Sequence, residues 1–340
     1  MDQQRLALRS GAASIALSIV LRLAGGGFFQ PLAALAENPQ LLSWLVYVQT
    51  GRVAQLVEEQ VPSEQGSEPD ETEASAQTQE TPAAPTEPER PSFTQADAET
   101  VPVRYGCSYR PDIAQLLTAP LSWDLTIEEP TVLIVHTHAT ESYTRAEGES
   151  YVEDTDYRTL DEGYNMLSIG DRVAEILEAA GIGVIHDRSL HDYPSYSGSY
   201  SDARSSIEQY LSDYPSIRVV LDIHRDAAEL SDGSQMSTAT TIHGVSTARV
   251  MILVGTDASG GSCPNWEENL GLGLKLAAML ERDAPGITRY VNLSAYRLNM
   301  DLTPGSLLLE IGSAGDSHAQ ALAAAEIVAQ ALAALKYGSE

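Results

Sequence analysis

Cysteine is nearly absent, with only Cys107 and Cys263 in 340 residues. Two thiols so far apart build neither a disulfide framework nor a Cys-ligated zinc knuckle. Basic residues are also scarce, 20 Lys plus Arg against 48 Asp plus Glu, for a net charge of -28. A charge this negative repels phosphate backbones, so nucleic acid is excluded as a partner. The sequence lacks a G-x-S-x-G elbow, an H-E-x-x-H helix and a P-loop, and His224-Arg225-Asp226 stands without a glycine-rich loop or D-F-G. These gaps remove serine hydrolases, helical zinc proteases, P-loop NTPases and protein kinases. There is no internal repeat, and 43% hydrophobic content excludes a wholly disordered chain.

What is present begins with a targeting signal. Arg5 and Arg9 precede an apolar run from Gly11 to Leu21, and a second stretch reaches Ala34-Leu35-Ala36. The span is long enough for a bilayer of about 30 Å, and the final small residues also suit a cleavage site. Residues 1–36 are therefore expected to be a membrane anchor or a signal segment, with the rest of the chain on the extracytoplasmic side. A short juxtamembrane segment, 37–61, follows. Residues 62–100 carry ten acids against one base, and six prolines. Such a stretch cannot offset its ordering entropy by burial and reads as an acidic, proline-rich disordered linker.

Further on, short apolar runs alternate with longer amphipathic ones. The pattern predicts a single α/β domain over 128–338 with a mostly parallel central sheet flanked by helices. Strands are expected at 131–136, 182–186, 217–223, 248–254 and 306–311. Helices are expected at 164–180, 201–211, 266–281 and 318–335.

Three strands end in residues capable of metal or proton chemistry: His136-Thr137-His138, Asp222-Ile223-His224 and Glu310. In α/β sheets ligands bind beyond the carboxyl ends of strands, so these residues can converge. His138 and His224 supply two imidazoles and Glu141 a carboxylate, a donor set that leaves a position open on Zn²⁺. Glu310 then serves as general base and acid. Strand alternation places His136 on the same face as His138, making it the rival ligand, and Asp222 shares parity with His224 and can orient its ring. Tyr193, Tyr196, Tyr200 and Arg225 are candidate substrate contacts, with Arg204 near the tyrosines.

Four motifs in order carry a resemblance. Ile134 to Tyr143 (IVHTHATESY), His191 to Tyr200 (HDYPSYSGSY), Asp222 to Ala227 (DIHRDA) and Leu302 to Gly312 (LTPGSLLLEIG) resemble the stage II sporulation protein P family. The resemblance implies the fold of zinc-dependent N-acetylmuramoyl-L-alanine amidases. It implies cleavage of the amide between the muramic acid lactyl group and L-Ala of the stem peptide in septal peptidoglycan during engulfment. It also implies stage II sporulation protein D and a further membrane partner as associates. The wider amidase superfamily places its ligand carboxylate where Asn165 stands, so Glu141 would replace it. Two alternatives remain at this point: a zinc endopeptidase cutting cross-links, and an inactive membrane-tethered wall scaffold.

Overall fold

The computed structural model describes residues 90–125, 129–155 and 157–340. The expected membrane and juxtamembrane segments and most of the linker lie outside the described residues. Among the described residues no helix is long and apolar enough to cross a membrane.

The linker's last part is folded. Helix α1 (Gln95–Thr100) starts with a capping box in which Thr94 and Asp97 satisfy each other's backbone N–H groups. Phe93 just before it is buried in the main core. Strand β1 (Val103–Tyr105) joins the sheet edge and α2 (Ile113–Thr118) follows. The folded region thus begins well before 128, because one buried aromatic and a capped turn anchor a segment whose composition is otherwise polar.

The expected strands are found as β2 (Val132–Val135), β5 (Val184–His186), β6 (Val219–Asp226), β9 (Val250–Gly255) and β11 (Ser306–Ser313). The expected helices are α3 (Met166–Ala179), α4 (Ser199–Asp213), α5 (Trp266–Asp283) and α6 (His318–Ala334). Two small hairpins, β3 (Glu153–Thr155) with β4 (Arg158–Thr159) and β7 (Thr240–Ile242) with β8 (Val245–Thr247), decorate the loops. Strand β10 (Thr288–Ser294) was not expected, since polar residues interrupt its apolar ones, and it pairs between β1 and β9.

The sheet order is β1-β10-β9-β11-β6-β2-β5. Every neighbouring pair is parallel except β9 against β11, so two parallel blocks meet head to tail at that seam. This agrees with the mostly parallel α/β architecture expected. One face, carrying Ile134, Leu221, Ile223, Ile252, Leu307 and Leu309, is buried in the main core with residues of α3, α5 and α6. Helix α5 lies close on it because Gly273 has no side chain, and a Cβ there would come within 3.2 Å of Ile252 and 3.3 Å of Leu307. On the other face a smaller cluster of Leu133, Val135, Val220 and Ile217 is capped by Ile207 of α4.

Candidate metal centre

Strand β2 stops at Val135, and residues 136–140 run through a loop and turn. Alternation ends there, and the two histidines part. His136 turns toward α3, fully buried, with Nδ1 2.8 Å from the Ile223 carbonyl and Nε2 2.8 Å from His186 Nε2. Burial, aided by His186, pushes its imidazole down to about 3. His136 thus belongs to the helix-covered side and does not share a face with His138.

His138, Glu141 and His224 come together. One donor atom from each lies within 4.8 Å of the other two, and all three residues are buried. Glu141 sits between the rings, Oε1 3.5 Å from His138 Nδ1 and Oε2 3.5 Å from His224 Nδ1. Burial alone would raise the Glu141 carboxyl, but the Arg225 guanidinium and both imidazoles outweigh it and hold it well below the usual carboxylate range.

The residues around these three fix their orientation. Asp222 accepts hydrogen bonds from Thr137 N at 2.8 Å and Thr137 Oγ1 at 2.6 Å, and Oδ1 stands 2.9 Å from His224 Nε2, off the line of a full hydrogen bond. Asp222 and His224 thus lie on one face of β6, with the carboxylate beside the ring. Burial works against charge on His224, yet the Asp222 and Glu141 carboxylates raise its pKa well above the usual value. Asn165 caps α3, its Oδ1 accepting from Leu167 N at 3.0 Å, and residue 142 bridges to it, so Glu141 reaches the site from an adjoining segment.

Arg225 is not placed for substrate. It is buried, its backbone N–H donates to Glu141 Oε2 at 3.3 Å, Nε to the Ser142 carbonyl at 2.8 Å and Nη2 to the Tyr157 carbonyl at 2.9 Å. Its parity, opposite to that of Asp222 and His224, was the available signal. Arg158 and Asp192, overlooked in the sequence, complete the wall. Arg158 donates to Asp192 at 2.6 Å, stands 3.5 Å from Glu141, and covers the Tyr196 ring at 4.6 Å.

The tyrosine tract does reach the site. Tyr196 stacks on His138 with ring centroids 4.6 Å apart, and Tyr200 meets the same imidazole edge-on at 5.5 Å. Tyr193 is exposed, and Arg204 is engaged with Asp301 at 2.9 Å. Glu310 on β11 is paired in register with His224 on β6, and its Oε2 is buried without a hydrogen-bond partner. Burial pushes its carboxyl up to about 8, with the His224 charge pulling the other way.

The profile of the family "Stage II sporulation protein P" matches residues 37–333. The chain belongs to the stage II sporulation protein P family. It is 29% identical over 229 residues to Stage II sporulation protein P of Bacillus subtilis strain 168, covering 63% of this chain and 53% of that protein. The chain therefore spans about half the length of this curated relative. Among solved structures it is similar to the N-acetylmuramoyl-L-alanine amidase AmiC2 of Nostoc punctiforme, at 16% identity over 61% of this chain and 96% of that one, with a TM-score of 0.36. The CwlD amidase from Clostridioides difficile, in complex with the GerS lipoprotein, gives 14%, 61%, 98% and 0.37.

Proposed function

We propose that this family member is a zinc-dependent N-acetylmuramoyl-L-alanine amidase that cuts the lactyl to L-Ala amide of peptidoglycan during sporulation. The observation that carries the reading is the meeting of His138, Glu141 and His224 with Glu310 in the adjacent strand. The donor set fits zinc: two imidazoles and a carboxylate, with His138 Nε2 buried and without a hydrogen-bond partner. His138, Glu141 and His224 would hold the ion. Bound there, zinc supplies Lewis acidity, which lowers the pKa of water to about 7 and polarises the amide carbonyl.

The protein's own groups do the rest. Asp222 and Thr137 hold His224 in one orientation, and Arg225 and Arg158 keep Glu141 ionised and in place. Glu310 in its ionised form takes a proton from the attacking water, and the dry site, which favours the carboxyl so formed, lets it hold that proton until it passes to the leaving L-Ala nitrogen. Tyr196, exposed above His138, offers a flat face to the substrate beside the reacting bond. An N-terminal membrane tether facing the outside would hold the site against the septal wall. Peptidoglycan digestion that stops on chelation and returns with zinc supports the proposal, and digestion indifferent to chelation refutes it.

A further inference from the structure

The sheet face that carries Glu310 continues past the metal centre. Register carries one row from His224 to Glu310, Met251 and Tyr290, and the next from Asp222 to Leu308, Leu253, Asn292 and Arg104. Helix α4 packs over β2, and among the described residues no helix packs on this side of β9, β10 or β1. A groove of about 570 Å³ opens there, lined by Glu310, Leu253, Asn292, Tyr290, Arg289 and Arg104 among others.

Its chemistry changes along its length. Near the centre it offers the unpartnered Glu310 Oε2 and the apolar Leu253. Midway, Asn292 Oδ1 is a buried acceptor without a partner, beside Gly106, where a Cβ would stand 3.3 Å from it. A buried acceptor left unmatched costs free energy that an N–H from a ligand would recover. At the far edge, Arg104 donates to Tyr290 OH at 3.0 Å and makes no ion pair among the described residues, whereas Arg289 is neutralised by Asp226 at 2.6 Å. Arg104 is exposed, so its charge is open to an anion at the end of the groove. From β11 to β1 are three strand spacings of about 4.8 Å, or about 14 Å, the length of roughly four extended residues.

We infer that this groove is the subsite for the stem peptide, with the L-Ala end at Glu310, a backbone N–H on Asn292 and a peptide carboxylate on Arg104. The inference rests on the amidase reading and adds the part of the substrate that the sheet recognises. A neutral glycan strand would gain nothing from Arg104, so the peptide is the occupant favoured.

Calorimetry on the full chain tests this without turnover, using a free L-Ala-initiated tetrapeptide with carboxylates and the same peptide amidated. Arg104→Gln should weaken binding of the acidic peptide about tenfold and leave the amidated one unchanged. Asn292→Leu should weaken both. No binding by the wild type, equal binding by Arg104→Gln, or displacement of the peptide by peptide-free glycan would each overturn the subsite. Binding with this Arg104 dependence in a protein that releases no stem peptide from the wall would sink the amidase reading and leave the subsite standing.

Discussion

Glu310 and His224 are register partners on adjacent parallel strands, so the carboxylate proposed to move the proton is fixed by a backbone ladder and not by a loop. Neither residue can drift relative to the other without breaking the centre of the sheet. Position and metal affinity should therefore separate on mutation. Glu310→Gln is expected to keep zinc at one per chain while losing about 10² to 10⁴ in rate. Elemental analysis beside a turnover assay checks both, and wild-type turnover would remove Glu310 from the chemistry.

The two histidines of the first motif should behave oppositely. His138→Ala, like His224→Ala and Glu141→Ala, is expected to drop bound zinc well below one per chain. His136→Ala should retain the zinc but lose roughly 1–3 kcal/mol of stability, because it orphans the His186 ring and the Ile223 carbonyl. Metal content together with urea unfolding separates the two outcomes.

Much of this centre could be read from the sequence, for reasons particular to each residue. His224, Asp222 and Glu310 lie inside long apolar runs, where alternation fixes the side of the sheet. His136 and His138 lie beyond the end of β2, where alternation no longer applies, and parity failed for that pair. Arg158 and Asp192 come from separate loops whose approach is set by tertiary contacts such as Thr140 Oγ1 to Asp192 at 2.6 Å. Strand β10 was hidden because Arg289, Asn292 and Ser294 alternate with its buried residues, as expected for a strand whose second face borders an open groove.

Arg225 is a support for Glu141. Arg225→Gln removes the charge that keeps Glu141 ionised and is expected to weaken zinc affinity about 10- to 100-fold, as loss of a group that orients a ligand usually does. Competition with a chelator of known affinity gives the value. Unchanged affinity would show that Arg158 and the backbone suffice.

Lys275 of α5 gives a pH test of the core. It is buried, donates to the Leu116 carbonyl at 3.0 Å, and burial pulls its pKa from 10.5 down to about 8. The unfolded chain keeps this proton up to about 10.5 and the folded chain gives it up near 8, so stability rises with pH across that window and the penalty is full below it. Lys275→Met should therefore stabilise the protein by roughly 1–3 kcal/mol at pH 7, with the gain fading by pH 10.5. Urea unfolding at both pH values checks the sign.

The central claim is the bond that is cut. Mass spectrometry of material released from intact peptidoglycan by the zinc-loaded chain reads it directly. The account expects free stem peptides beginning at L-Ala, with the lactyl carboxyl left on the glycan. Peptides cut within the cross-link, still attached to muramic acid, would contradict it, and so would a wall left undigested by protein that holds its zinc.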